Sequence, residues 1–230
     1  MLIVEDLVVS YGSVPVLAGV TFKVPEKNVV CLLGGNGSGK TTTLKTIVGL
    51  IKPHAGTIQF NGMRIDHLEP YEIIPMGLSL IPQGRMIFPT LTVSENLMMG
   101  AFTSWNRKKI KCAIERMMEL FPVIRQKRRV LAGSLSIGQQ QLVAIARGIM
   151  GDPQLLLMDE PSAGLAPLIV EEVFKIVRQL NSINMTILLV EQNVRMALSV
   201  SEHCYVLKNG EICISEKSIN LHENEDLIKT

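Results

Sequence analysis

No stretch of the 230-residue sequence is apolar for long enough to cross a bilayer, which takes about 20 residues of helix. The longest apolar runs, such as Leu155 to Met158 and Ile187 to Val190, have the length of strands. The start lacks a secretory leader's order of basic residues followed by an apolar run, since Met1, Leu2 and Ile3 lead straight into Glu5 and Asp6. Charge of one sign is missing too. With 23 Lys and Arg against 21 Asp and Glu, the net charge of +2 gives no basic footprint for a nucleic acid partner. The run Lys127, Arg128, Arg129 reads as a solvated helix end. The four cysteines (Cys31, Cys112, Cys204, Cys213) form no CxxC pair, which argues against a zinc or dithiol site and for buried reduced thiols. The four histidines (His54, His67, His203, His222) lack metal-ligand spacing. No internal repeat or low-complexity segment appears. What is present is a globular composition with 19% charged residues, below the usual quarter, and a positive mean hydropathy. That balance suggests a single core with part of its surface covered by partners.

The first part of the chain reads as strands. Leu2 to Val9 is apolar and β-branched, and Val20, Phe22 and Val24 alternate with polar residues. Val29 to Leu33 is a continuous apolar run, as a strand buried on both faces requires. A glycine-rich turn follows, then a helix from about Lys40 to Leu50. Thr57 to Phe60 reads as a strand entering an Asn61-Gly62 turn. From about Pro89 to Met150 apolar residues recur at helical spacing, marking a mostly helical insert that includes Met98, Met99, Met117 and Met118. These methionines read as core packing or as a groove for a partner helix. Strand Gln154 to Met158, helix Leu168 to Leu180, strand Thr186 to Val190 and a short helix near Val194 to Val200 come next. A hairpin Tyr205 to Ile214, turned by Asn209-Gly210, closes the pattern, and Glu216 to Thr230 reads as a loosely held tail. Alternating strands and helices predict an α/β fold with a parallel sheet and crossover helices.

Gly34-Gly35-Asn36-Gly37-Ser38-Gly39-Lys40-Thr41 matches GxxxxGK[ST], a pattern expected by chance in about one chain of this length in a hundred. Glycines let the backbone turn successive N–H groups onto phosphate oxygens, and the following helix adds its positive end. In this reading Lys40 reaches the β- and γ-phosphates and the Thr41 hydroxyl ligates Mg²⁺. Thr42 extends the nucleotide-binding stretch. A second acidic element, Leu155 to Met158 followed by Asp159 and Glu160, is a strand ending in two carboxylates. Asp159 is assigned to Mg²⁺, and Glu160 to polarising the attacking water.

Leu135-Ser136-Ile137-Gly138-Gln139 resembles the LSGGQ signature of ABC transporter ATPases, and the resemblance covers essentially the whole chain. It implies a P-loop core with an N-terminal antiparallel β subdomain and a helical subdomain at about 89–150, all within one domain of residues 1–230. It also implies that Tyr11 stacks on adenine. Gln83, in Ile81-Pro82-Gln83-Gly84, resembles the Q-loop glutamine that contacts Mg²⁺ and the membrane partner. The phrases Gln83 to Val93, Pro161 to Pro167 and Val190 to Asn193 are similar to the second ATPase of branched-chain amino acid importers. Urea and short-chain amide importers share them. The resemblance further implies a peripheral subunit on the cytoplasmic face of the cell membrane that hydrolyses ATP with Mg²⁺. Its expected partners are a second, paralogous cassette held head to tail, two integral membrane permease subunits and, indirectly, an extracytoplasmic solute-binding protein. Ser136 and the Gly138 backbone then serve the partner's ATP.

Three positions depart from the broad family pattern. Ile137 replaces the first signature glycine, Ala166 replaces the aspartate that closes the D-loop, and Gln192 replaces the histidine that contacts the γ-phosphate. Gln192 hydrogen-bonds without carrying charge. Ile137 and Gln192 leave open a second reading, a nucleotide-binding partner with weak hydrolysis. The intact Lys40, Thr41, Asp159 and Glu160 speak against it. A role in repair or translation is disfavoured because neither a second cassette nor a coiled-coil insert is present.

Overall fold

The computed structural model describes residues 1–102 and 106–222. Strands β1 (Leu2–Tyr11) and β2 (Val14–Val24) open an antiparallel sheet that β4 (Ala55–Phe60) and β5 (Met63–Arg64) complete, in the order β2-β1-β4-β5. The intervening β3 (Val29–Leu33) belongs to a second sheet, ordered β10-β9-β3-β8-β7-β6. Its members are β6 (Leu78–Ile81), β7 (Leu155–Asp159), β8 (Thr186–Glu191), β9 (His203–Lys208) and β10 (Glu211–Lys217). All neighbours in it run parallel except the β9–β10 hairpin. Asn61 with Gly62, and Asn209 with Gly210, hold the positive φ angles (51° and 80°, 51° and 82°) that a two-residue hairpin turn needs. Both turns fall where the Asn-Gly pairs predict them.

The parallel strands are buried on both faces, and their side chains divide with period two. Val30, Leu32, Leu155, Leu157, Leu188 and Val190 join the core beneath the antiparallel sheet, with Leu44 and Ile47 of α1 (Lys40–Ile47). Val29, Cys31, Leu156, Met158, Ile187 and Leu189 face the opposite core, shared with the later helices. The sheet is thus the wall between two apolar volumes, and neither core survives a one-residue slip of any strand.

After α2 (Pro70–Ile73), a 3₁₀ turn and β6, the insert contributes α3 (Val93–Gly100), α4 (Arg107–Leu120), α5 (Pro122–Gln126) and α6 (Ile137–Ile149). Thr92 caps α3 in a reciprocal box with Glu95, worth about 1 kcal/mol, and Ser136 caps α6 in the same way with Gln139. Helices α7 (Pro167–Ser182), α8 (Val194–Leu198) and α9 (Ser218–His222) complete the described chain.

Four expectations change. Strand β6 was not foreseen. Cys31 and Cys204 are buried, but Cys112 and Cys213 are exposed, because one lies on the outer face of α4 and the other on the edge strand β10. The segment from Glu216 is not a loose tail as far as His222. It finishes β10 and forms α9, anchored by buried Leu221 and by a Ser201–Ser218 hydroxyl bond of 2.8 Å. The rest of the expected tail, residues 223–230, lies outside the described residues. Finally, Met117 and Met118 are core residues, whereas Met98 and Met99 are exposed on α3.

Candidate functional site

The turn between β3 and α1 is built for close approach. Gly39 stands at the helix N-cap with φ of 109°, and a Cβ at Gly34 would overlap the Leu207 carbonyl and the Ser38 hydroxyl. Within this turn the Ser38 N–H donates to the Gly35 carbonyl at 3.3 Å. The Lys40 ammonium curls back to donate to the same carbonyl at 2.8 Å. Among the described residues the buried Ser38 hydroxyl has no partner, an orphan group that an incoming phosphate oxygen would satisfy. A cleft of about 750 Å³ opens beside the turn, lined by Gly34, Gly37, Ser38, Gln192, Lys208 and Cys213 among others.

Strands β7 and β8 deliver the acidic groups. Their register pairs Asp159 with Val190, and the Glu160 N–H donates to the Val190 carbonyl at 2.9 Å. The Thr41 hydroxyl donates to Asp159 at 3.2 Å, placing two hard oxygen donors side by side at the end of the cradle. Burial pushes the Asp159 carboxyl above its ordinary pKa, with the Thr41 bond opposing the shift and the Glu160 charge adding to it. Glu160 is 7% exposed and has the positive φ of 45°, a strained backbone for a side chain of this kind. Its Oε1 lies 3.1 Å from the Lys40 ammonium and accepts from Gln192 Nε2 at 2.8 Å, while its Oε2 accepts from Gln83 Nε2 at 3.0 Å. Gln192 also donates to the Asn36 side chain at 2.6 Å. Lys40, Glu160, Gln83, Gln192 and Asn36 therefore form one bonded cluster beside the Thr41–Asp159 pair, drawn from the turn after β3, the start of α1 and the ends of β6, β7 and β8.

The remaining predicted residues lie elsewhere. Tyr11 ends β1 with its ring 51% exposed, and Thr42 is buried in the first turn of α1. Ser136 and Gly138 stand at the start of α6. There the Ser136 hydroxyl accepts from the Gln139 N–H, and Gly138 packs so closely on Ile169 that a Cβ would meet it at 2.8 Å. Among the described residues their hydrogen bonds stay within α6 and bypass this cradle.

Two residues with no assigned role tie the insert to Gln83. Asn96, wholly buried in α3, exchanges bonds of 2.9 Å with both backbone groups of Phe88. Arg147 of α6 donates to the Arg85 carbonyl at 3.3 Å and lies over the Phe88 ring at 5.4 Å. The signal for both was a strongly polar residue inside an apolar helical stripe.

A glycine turn between a buried parallel strand and a helix, with its lysine and a strand-end acid pair gathered at the carboxyl edge of the sheet, defines a P-loop nucleotide hydrolase. The sequence pattern of the ABC transporter family matches residues 17–163, more than half of the chain. The chain belongs to the ABC transporter ATPases. It is 37% identical over 224 residues to the high-affinity branched-chain amino acid transport ATP-binding protein BraG of Pseudomonas aeruginosa, covering 97% of this chain and 96% of that one. Identity is 34% over 230 residues to the probable branched-chain amino acid transport ATP-binding protein LivF of Archaeoglobus fulgidus, covering 100% and 97% of the two chains. The fold superposes on the crystal structure of a nucleotide-free ATP-binding cassette from an ABC transporter, with a TM-score of 0.89 and 28% identity, covering 100% of this chain and 97% of the other. Among the described residues no helix is long and apolar enough to cross a membrane.

Proposed function

We propose that this ATPase energises the import of branched-chain or related small amino acids, working peripherally at the cytoplasmic face of the membrane. The observation carrying the catalytic part is the convergence of Lys40, Gln83 and Gln192 on the Glu160 carboxylate, beside the Asp159–Thr41 pair. The choice of solute rests on two near-full-length relatives that carry branched-chain amino acid transport in their names.

In this reading the backbone N–H groups of residues 34–41, the Ser38 hydroxyl and Lys40 hold the phosphates, and Thr42 extends that grip into α1. Tyr11 presents its ring to adenine. Glu160 takes up the proton of the attacking water as its oxygen bonds to the γ-phosphorus and the bond to ADP breaks. Gln192 donates to the γ-phosphoryl oxygens from its uncharged amide. Thr41, Asp159 and Gln83 supply the oxygens for Mg²⁺, which when bound neutralises phosphate charge.

Ser136 and the Gly138 backbone serve a second, paralogous cassette's ATP, which accounts for an α6 N-terminus whose own bonds never reach the cradle. Two membrane permeases and an extracytoplasmic receptor complete the transporter. Glu160→Gln should cut ATP turnover at least about a hundredfold while leaving ATP binding intact. Wild-type turnover in that variant would remove the base assignment. The solute is tested by co-purifying the chain with its membrane subunits and receptor and screening the receptor by thermal shift. Leucine, isoleucine or valine should stabilise it, whereas a response to urea or amides alone would replace the solute assignment.

A further inference from the structure

We infer that Glu191 is a positioning residue that locks the turn carrying Glu160 to the turn carrying Gln192. Glu191 ends β8 and is only 2% exposed. Its Oε1 accepts the Ser162 N–H at 3.0 Å and its Oε2 accepts the Gln192 N–H at 3.2 Å. Ser162 lies two residues beyond Glu160, and Gln192 follows Glu191 directly. One carboxylate therefore clasps both loops whose side chains meet at the 2.8 Å Gln192–Glu160 bond.

The residue type fits the task. All of these neighbours are donors, so a group that accepts through both oxygens satisfies them together, whereas an amide would turn one donor against another. Among the described residues no cation pairs with Glu191, so its burial pushes the carboxyl above its ordinary pKa while the N–H donors oppose the shift. An acid kept in such a place is costly unless the geometry it imposes is used. The need for that geometry is visible next door, where Glu160 holds a positive φ that persists only if its surroundings dictate it. Catalytic groups tolerate errors of only about half an ångström.

This inference rests on Glu160 acting as the base, and the test separates the two. In the purified full chain, Glu191→Gln should lower kcat for Mg-ATP about tenfold or more, with KM and equilibrium ATP affinity within about twofold. Glu191→Asp, which keeps the acid but shortens its reach, should fall in the same direction by less, and it carries the test if the amide variant fails to fold. In a Glu160→Gln background the Glu191→Gln change should cost nothing more, because the group it positions is gone. Unchanged kcat, a loss shared between KM and kcat, or full additivity with Glu160→Gln would each overturn the positioning role. Persisting turnover in Glu160→Gln alone would instead sink the base assignment.

Discussion

Ile137 is the first residue of α6 and stands 54% exposed, on the surface that would meet a second cassette's phosphates. A β-branched side chain there keeps backbone donors from approaching as closely as glycine allows. Replacing it with glycine in the reconstituted transporter should raise ATP turnover, and a rate that is unchanged or lower would dismiss the steric explanation. At this scale the sequence was most legible where residue type is forced. Only glycine tolerates the packing at Gly34, and only a lysine or arginine could reach from α1 to both the Gly35 carbonyl and Glu160. Glu191, Asn96 and Arg147 were not legible as functional parts. Their roles depend on backbone groups up to 62 residues away, as with Arg147 and Arg85, and no local spacing encodes those contacts.

The elements were legible in proportion to how far periodicity alone fixes them. Strands β3, β7 and β8 stand out as apolar runs, and α7 as a long amphipathic stretch beginning at Pro167. Strand β6 was hidden because its four residues, Leu78 to Ile81, form an edge strand with half-open middle positions. Among the described residues it pairs only with β7, 77 residues downstream at the Leu78–Leu155 pair. The contact between α3 and α6 was equally invisible. At Gly100 a Cβ would overlap the Arg147 carbonyl, so the two helices touch backbone to backbone. Gly100→Ala gains about 0.5–1 kcal/mol of helix preference but forces the helices apart, and overpacking of this kind costs about 1–3 kcal/mol. A net loss centred on about 1 kcal/mol, and of at most about 2.5 kcal/mol, should lower Tm by a few degrees in a thermal melt. A Tm at or above that of the parent would show that the helices separate freely. The same shift should loosen Arg147 from the Phe88 ring and so disturb the segment after Gln83.

At the scale of the molecule, the cradle and acid pair lie at one edge of the parallel sheet, while Ser136 and Gly138 lie on the helical insert. In the proposed function a single chain then displays half of each of two sites. Size-exclusion chromatography of Glu160→Gln, run alone and mixed with the paralogous cassette, should show single cassettes without nucleotide and a doubled species with ATP in at least one of the two samples. An elution volume indifferent to ATP would refute the head-to-tail arrangement. Lys40 and Glu160, 4% and 7% exposed, neutralise one another across 3.1 Å. In the proposed function the entry of ATP is then an exchange of counter-ions, in which the ammonium leaves a carboxylate for a phosphate and the carboxylate is released for chemistry. Deleting the lysine would leave that buried acid with the Gln83 and Gln192 amides but no counter-charge, and breaking a buried pair in this way costs about 3–5 kcal/mol. Lys40→Met should therefore unfold at a lower temperature even before any nucleotide is added, so its loss of turnover reports on the fold as well as on the fuel.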